Sequence, residues 1–508
     1  MTAPTGPTET GEIAEFEQEF SSAQATPGRT PLVIKLLVAA TFVVILNETT
    51  LVNAVPTLMT DFSISETTAQ WSLTVFMLTM AAVIPVTGWF LQRVPTRTAY
   101  ATAMITFSVG TLVAAVAPSF GALLVGRVIQ AGGTAVMMPL LMTTLMTVVA
   151  AEDRGRVMGQ VTLAMSCAPA LGPTVSGVLL HFGPWRLIFA VMLPIAMLVG
   201  FFGFRNLENV GESTRTPVSW LSVVLAAVGF SSFVYGLSLV GGDGLDLAVG
   251  ALSVSLGATA APIAFIGAGV LLVAGFAAYQ IVLQRSERPL LDLRTLRHRN
   301  FAVSLVLMSA GFMAFLGSMI LLPLYLQNLR GLSELETGLL VMPGGLAMGL
   351  LGPQVGKIYD RIGSRPLVIP GSIAMVALLF GLSRIGVETP YALILALHVA
   401  LMASLAMIFT PVFTIGLGDL APHLYSHGSS LLGTLQQVAG AVGTALLVVI
   451  MTNRTEDLAT SGASDADAFM GGLQWAFTAG AVIGVVVVAM ALLLPSKVEA
   501  PEGAVVGH

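Results

Sequence analysis

The chain has 508 residues, of which 55% are hydrophobic and 10% are charged, and its formal net charge at pH 7 is −5. Soluble globular proteins have about 45–50% apolar and about 25% charged residues, so this composition excludes an ordinary soluble domain and indicates a membrane protein. The net charge is modest and lies mostly in tails and loops, and it predicts no nucleic-acid partner.

The N-terminal segment, 1–32, is predicted to form a disordered cytoplasmic tail. Five glutamates precede position 20, and Arg29 is the one basic residue before position 30. The basic start and the cleavage site of a signal peptide are both missing. The C-terminal segment, 495–508, is predicted to form a second cytoplasmic tail.

Apolar runs long enough to cross a bilayer, which needs about 20 residues each, recur from position 33 to position 494. They predict an all-α polytopic membrane protein with fourteen transmembrane helices, numbered spans 1 to 14. The predicted spans are 33–56, 69–91, 99–117, 121–146, 157–181, 185–204, 219–240, 260–284, 301–325, 335–355, 366–384, 389–416, 428–452 and 470–494.

The distribution of basic residues predicts the orientation, because Lys and Arg next to spans stay on the cytoplasmic side. With the N-terminus inside, seventeen of the twenty-two Lys and Arg fall in cytoplasmic segments. The loop RSERPLLDLRTLRHRN, at positions 285–300, alone has five arginines. We therefore expect a multi-pass protein of the cytoplasmic membrane with both termini inside.

Span 1 contains Glu48, the single acid that lies more than two residues from either end of a predicted span, in the stretch LNETTLVNAVP. Span 4 contains Arg127, the single guanidinium at such a distance from the span ends, in GRVIQAGGTAV. An ionisable group in hydrocarbon costs roughly 2.5 to 3.5 kcal/mol, so both are expected to face a cavity or the bundle interior. Each lies about 10 to 12 Å from the outer end of its span, counted from Pro56 and Phe120 at about 1.5 Å per residue, so the two could meet.

Two hypotheses follow for this pair. Glu48 could take up a proton when it is alone and release it when Arg127 approaches, which would couple transport to protons. Alternatively, Glu48 and Arg127 could form a permanent ion pair that orders this part of the bundle. Asn47, Asn53 and Gln130 lie nearby in sequence and are candidate cavity residues.

The loop after span 2, PVTGWFLQRVPTR, recurs after span 10 as PQVGKIYDRIGSR. The matching pairs are separated by one constant spacing, called the repeat offset, and are Pro85 and Pro353, Gly88 and Gly356, Arg93 and Arg361, and Arg97 and Arg365. The repeat predicts two six-helix halves, at 33–204 and 301–494, separated by two extra spans and a basic loop at 205–300. Transporters built from parallel repeats rock around a site at the bilayer midplane.

Span 5 contains Gly172 and Pro173 in APALGPTVSG. Proline removes a backbone donor, so a kink is expected here. At the end of span 10, Asp360 could cap a helix N-terminus or pair with a cytoplasmic arginine, and so act as a latch for one conformation. Its counterpart Gln92 can hydrogen bond without charge, so its latch should be weaker. Both loops, including Gly363, are interpreted as conformational parts.

Four of these stretches carry a family resemblance. The pattern GxxxDRxGxR from Gly356 to Arg365 resembles the signature loop of the major facilitator superfamily, and the first copy is degenerate, with Gln92 and Pro95 replacing the acid and the second glycine. GRVIQAGGTAV resembles the span 4 motif, and APALGPTVSG the antiporter motif of span 5. LNETTLVNAVP resembles the span 1 motif of the fourteen-span drug:proton antiporters, which usually has Asp at the position of Asn47. The match is closest to the lincomycin-resistance exporter branch, and it implies the major facilitator fold.

The C-terminal half has no equivalent of the charged pair, because the repeat offset brings Glu48 to Leu316 and Arg127 to Leu395. Proton handling is therefore assigned to the N-terminal half. His398 in span 12 titrates near neutral pH and is either a further coupling group or a packing residue. Met and Phe side chains, with Gln436 and Gln437, suit a bulky lipophilic substrate, although ordinary helix packing is the alternative for each.

Metal-ligand spacing, a phosphate-binding glycine loop and an activated nucleophile are not found in the sequence, which predicts neither an enzyme nor a metal or cofactor. The combined prediction is a monomeric proton-coupled exporter of lipophilic small molecules. One alternative is an exporter of an endogenous metabolite or of a cell-envelope lipid precursor. A second is a membrane sensor or scaffold without transport.

Overall fold

The computed structural model describes residues 30–210, 217–240, 245–249, 252–257, 259–286 and 288–496. Most of the two predicted tails therefore lies outside the described residues. Within the described part, fourteen helices are long and apolar enough to cross a membrane, at the positions predicted from the sequence. The prediction of an all-helical membrane domain is confirmed.

Most of the spans are single helices. Span 1 consists of Leu32–Thr50 and Val55–Phe62, joined by a 3-10 turn at Val52–Ala54. The helices of spans 2 to 14 are Glu66–Arg93, Thr96–Ala115, Phe120–Val148, Arg154–Phe182, Arg186–Asn206, Trp220–Ser238, Ala260–Gln284, Arg299–Leu324, Glu334–Ile362, Arg365–Leu382, Tyr391–Gly418, Tyr425–Thr460 and Asp465–Leu493. Span 9 continues as a π-helical turn at Tyr325–Leu329.

One feature outside the helices was not predicted. Strands β1, Leu245–Val249, and β2, Leu252–Leu256, pair as an antiparallel hairpin between spans 7 and 8. It lies in a connection and leaves the helical membrane domain unchanged.

Successive spans run in opposite directions, so the two signature loops lie at one end of the bundle. This end, where residues 93–96 and 362–365 connect their helices, is called the motif end, and the other is called the opposite end. Several helices that start at the opposite end begin with a serine cap. At span 10, Ser333 and Glu336 form a reciprocal capping box, which satisfies backbone donors at the helix start.

Spans 5 and 10 pack against each other along their length and join the two halves. Their contact is close because glycines replace side chains at the crossing. A Cβ atom on Gly352 would lie 2.6 Å from the carbonyl oxygen of Gly159, and one on Gly356 would overlap the carbonyl oxygen of Gly155. Small residues let two membrane helices approach to backbone contact. Gly345 and Gly349 continue the same stripe of span 10, against Ala170 and Cys167.

The two extra spans pack on one side of the bundle, where span 7 contacts spans 2 and 13. Ser231 Oγ of span 7 donates to the carbonyl oxygen of Leu78 in span 2 at 3.1 Å. Gln280 of span 8 is fully buried and accepts the backbone N–H groups of Leu290 and Leu291 at 2.7 and 3.3 Å. It thereby fixes the basic loop against the motif end.

Candidate substrate cavity and coupling site

A cavity of about 680 Å³ lies between the two halves and is lined by spans 1, 2, 4 and 5 from one half and spans 9, 10, 12 and 13 from the other. Small-molecule sites in proteins have volumes of about 300 to 1,000 Å³, so the cavity suits a drug-sized ligand. Its walls contain eight methionines, Met80, Met137, Met138, Met165, Met319, Met342, Met348 and Met402. Methionine side chains are flexible and polarisable, and such a surface can adapt to ligands of different shape.

The C-terminal wall of the cavity also carries a cluster of aromatic rings. Phe312 stacks on Phe409 with ring centroids 4.8 Å apart and an interplanar angle of 16°. Phe315 meets both rings edge-on, at 6.0 and 6.2 Å. These three residues line the cavity, so they offer apolar flat surface to a ligand.

Among the predicted site residues, Glu48, Asn53, His398, Gln436 and Gln437 line the cavity. Glu48 is half-buried, and it is the one carboxylate among the lining residues. Its repeat counterpart in the other wall, Leu316, lines the same cavity. The structure does not bring Asn47 and Gln130 to the cavity surface, because both side chains are fully buried in the helix packing.

Arg127 is buried behind the cavity in a network of its own. Its Nε donates to the carbonyl oxygen of Ser72 at 3.1 Å, and its Nη1 donates to Gln130 Oε1 at 2.8 Å. Its guanidinium lies 4.0 Å from the ring centroid of Phe76. Gln130 in turn donates to Thr111 Oγ1 at 2.8 Å. The arginine is therefore positioned by spans 2, 3 and 4.

Glu48 and Arg127 are close enough to interact electrostatically, but they are not in ion-pair contact in this conformation. Within the described residues, the ion pairs in direct contact are Arg156 with Asp153 at 3.1 Å, Arg186 with Asp61 at 2.8 Å, and Arg294 with Asp292 at 2.8 Å. The alternative of an ion pair that is always formed is therefore not the arrangement seen here.

Asn47 and Asn53 flank the carboxylate and have different environments. Neither the nitrogen nor the oxygen of the Asn47 amide has a hydrogen-bond partner among the described residues, although the side chain is fully buried. Asn53 Nδ2 donates to the carbonyl oxygen of Pro173 at 3.1 Å. A Cβ atom on Gly172 would overlap Thr49, so spans 1 and 5 are in close contact beside Glu48. The span 5 helix continues through Pro173.

His398 in span 12 is 3% exposed and is packed against span 10. A side chain on Gly344 would overlap its ring, so the imidazole occupies space that only glycine leaves free. Its Nε2 has no hydrogen-bond partner among the described residues. These contacts fit a packing residue at the cavity wall as well as a titrating one.

The C-terminal signature loop joins the halves at the motif end. The Asp360 carboxylate accepts hydrogen bonds from the backbone N–H groups of Gly155 at 2.8 Å and Arg156 at 2.7 Å. These two residues form the first turn of span 5, so the carboxylate interacts with the positive end of that helix. Gly363 has φ +83°, a backbone conformation that favours glycine, where the chain turns into span 11. Arg361 is exposed, and Arg365 Nε donates to the carbonyl oxygen of Leu494 at 3.2 Å.

The N-terminal signature loop makes a different contact, with the start of span 13. Gln92 Nε2 donates to the carbonyl oxygen of His423 at 2.8 Å. Gly88 packs against His427, where a Cβ would lie 3.0 Å from the ring Nδ1. The guanidinium group of Arg93 lies 5.7 Å from the ring centroid of Trp89, and that of Arg97 lies 4.4 Å from the ring centroid of Phe204.

The motif end is the closed end of the cavity. Hydrogen bonds join the halves there between Thr143 and Ser429 at 2.9 Å, and between Ser430 Oγ and the carbonyl oxygen of Ile84 at 2.5 Å. On the side of the opposite end, the described residues show one hydrogen bond between the halves, a 3.9 Å contact from Thr174 Oγ1 to the sulfur of Met342.

Two features of the site were not identified from the sequence. The glycine stripe of span 10 was visible only as GxxxG-like spacing, which does not name a partner helix. His427 would have been found by applying the repeat offset to span 5, because it falls on Gly159.

Residues 37–444 match the family described as Major Facilitator Superfamily. Lincomycin resistance protein LmrB of Listeria monocytogenes is 37% identical over 423 residues, 83% of this chain and 86% of the relative. The uncharacterized MFS-type transporter YcnB of Bacillus subtilis is 35% identical over 466 residues, 92% and 95% of the two chains. The multidrug resistance protein B homolog of Mycobacterium tuberculosis is 30% identical over 415 residues, 80% and 74%.

Solved structures support the same architecture. The proton:xylose symporter XylE superposes with a TM-score of 0.61 at 16% identity, covering 91% of this chain and 95% of that one. At this identity the similarity concerns the fold alone.

Proposed function

The chain belongs to the major facilitator superfamily, and from this premise we propose that it exports lipophilic drugs or similar small molecules in exchange for protons. The membrane is the cytoplasmic membrane, the termini are cytoplasmic, and the working unit is a monomer. The two halves rock against each other, so the cavity opens in turn at the motif end and at the opposite end.

The observation that carries the proposal is the composition of the cavity wall. Apolar side chains form most of it, including eight methionines and four phenylalanines, and a single carboxylate, Glu48, lies among the lining residues. An apolar cavity with few polar groups binds ligands mainly through burial of apolar surface, while the polar groups set orientation. Two of the relatives are named for lincomycin resistance and multidrug resistance, which favours a drug-like substrate over an endogenous metabolite.

Glu48 is proposed as the proton carrier. A carboxylate beside an apolar cavity holds its proton while no cation is near, and releases it when a positive charge approaches. Arg127 is the cation on the protein side, and its bonds to Ser72 and Gln130 keep it short of contact in the conformation described above. Both groups lie in the N-terminal half, so their approach would require a rearrangement of spans 1 and 4 within that half as the cavity changes its opening, and this would link the conformational change to proton release.

The test is uphill export from vesicles with an imposed proton gradient. Glu48→Gln keeps the size and the hydrogen-bonding capacity of the side chain but cannot exchange a proton, so gradient-driven export should fall to background while substrate binding stays measurable. Glu388→Gln, at an exposed acid in the loop between spans 11 and 12, is the matched control and should export normally. Gradient-driven export at the wild-type rate in Glu48→Gln would remove Glu48 from the mechanism.

A further inference from the structure

The seam between spans 2 and 13 at the motif end differs from its repeat-related seam between spans 10 and 5. The repeat offset brings Gly155 and Gly159 of span 5 to His423 and His427 of span 13. The first seam therefore has histidines where the second has glycines. It also lacks the carboxylate, because Gln92 stands at the position of Asp360.

His427 is enclosed between spans 2 and 13. Its side chain is 3% exposed, and Gly88 of span 2 leaves the space for its ring. Nδ1 is buried and has no hydrogen-bond partner among the described residues. A neutral imidazole tolerates this position, whereas an imidazolium would have a buried N–H without an acceptor, which costs far more free energy.

The charged and titratable groups that face His427 compensate such a charge only in part, because Asp292 favours it whereas Arg294 and His423 oppose it. They are Asp292 and Arg294 from the loop between spans 8 and 9 and His423 from the start of span 13, while span 2 presents the uncharged Gly88. Burial favours the neutral form of Asp292, but hydrogen bonds from the Arg294 backbone and Nε, both to Oδ1 at 2.9 and 3.1 Å, hold the pKa of this carboxyl below its ordinary value. Asp292 is thus charged across the neutral range and already paired.

We propose that His427 is a second proton-binding site, at which a proton favours opening of the motif end. In the closed conformation the ring is enclosed, and separation of spans 2 and 13 would let water solvate the imidazolium. A ligand shifts a two-state equilibrium toward the state that binds it more tightly, and here the ligand is a proton from the motif side. The inference rests on the alternation of the halves in the proposed function, but not on Glu48 as carrier.

The experiment measures the distance between spin labels across the motif end in protein reconstituted into nanodiscs. Labels on Thr98→Cys and Pro366→Cys occupy exposed, repeat-related positions at the starts of spans 3 and 11, and Cys167→Ala removes the native thiol. Glu48→Gln in the same background removes proton exchange at the cavity. The comparison is between about pH 8 and about pH 5.5, which brackets histidine titration.

On acidification, the ratio of long to short distances should rise by on the order of tenfold, the effect of a tenfold difference in proton affinity between the states. His427→Gln should lose most of that rise. His423→Gln, at an exposed ring one turn away, should keep it.

If acidification leaves the distance distribution of the parent protein unchanged, this result alone overturns the proposal, and no histidine variant is needed. A full rise in His427→Gln would also overturn it and assign the effect to another group. If His427→Gln does not fold, His427→Asn is measured instead. Loss of most of the rise in that variant supports the proposal, and a full rise overturns it. Because all variants carry Glu48→Gln, failure here is distinct from failure of Glu48 as the carrier, which the export assay reports.

Discussion

The two halves place their carboxylates at different depths. In the cavity, the N-terminal half contributes Glu48, and its counterpart in the C-terminal half is Leu316, which lines the same space. At the motif end the distribution is reversed, because the C-terminal half contributes Asp360 and the N-terminal half has Gln92. The N-terminal half therefore contributes the carboxylate that lines the cavity, Glu48. The C-terminal half contributes the carboxylate that joins the halves at the motif end, Asp360.

The repeat-related positions share their place in the fold, but they do not share their charges. Each carboxylate has partners that its counterpart lacks. Near Glu48 is Arg127, held by Gln130, whereas the repeat offset brings Arg127 to Leu395. Each charge should therefore work only in its own half.

The largest expected effect comes from moving the cavity carboxylate. In the double variant Glu48→Leu with Leu316→Glu, the carboxylate stays in the cavity but moves to the C-terminal half. It then has no neighbouring arginine, because the residue of that half at the position of Arg127 is Leu395. Gradient-driven export should fall at least about a hundredfold, comparable to a lost charge interaction of about 3 kcal/mol. The rate of gradient-driven export is measured in vesicles. Export near the wild-type rate would mean that any carboxylate in the cavity suffices and that the halves are equivalent.

Removing the motif-end carboxylate should have the next largest effect. Asp360→Asn keeps the shape but loses the charge that accepts two N–H groups from the start of span 5. Such charge-assisted bonds contribute about 1.5 to 3 kcal/mol, so the closed motif end should become roughly ten- to a hundredfold less populated and export should slow. Spin-label distances across the motif end measure the population, and membrane insertion should be unchanged. A wild-type distance distribution together with wild-type export would remove the latch.

Restoring the missing carboxylate should have a smaller effect of the opposite sign. Gln92→Asp places an acid near the start of span 13, where the helix N-terminus favours negative charge by about 0.3 to 1 kcal/mol. The closed motif end should become about two- to fivefold more populated. Modification of an introduced cysteine, Ser429→Cys, should slow accordingly, because Ser429 is buried between spans 4 and 13 at the motif end. Unchanged modification would show that the two loops are not equivalent positions for a charge.

The smallest expected effect on export comes from a substitution in the aromatic cluster of the C-terminal cavity wall. Phe312→Ala removes the ring stacked on Phe409, and an aromatic pair contributes about 0.5 to 1.5 kcal/mol beyond its buried area. The concentration of an aromatic substrate at half-maximal export should rise about two- to tenfold with proton coupling intact. Phe380→Ala, at an exposed ring of span 11, is the control. Loss of coupling in Phe312→Ala would show that the C-terminal wall does more than bind.

The sequence was sufficient for the fold because hydropathy acts on each helix separately, and all fourteen spans were located from it. It was insufficient for contacts between helices. Whether Glu48 touches Arg127 depends on how two helices are rotated about their axes, and the arginine proved to be turned toward Ser72 and Phe76. The burial of Asn47 and Gln130 has the same origin, because neighbouring positions on a helix face different directions.

The most direct test of proton coupling at Glu48 is proton release on addition of substrate to purified protein in weakly buffered detergent solution. We predict that binding of a lipophilic substrate releases protons from the wild-type protein and from Glu388→Gln, and that Glu48→Gln binds the same substrate without release. Equal proton release from Glu48→Gln would contradict the account, and would transfer the coupling role to another titratable group such as His398.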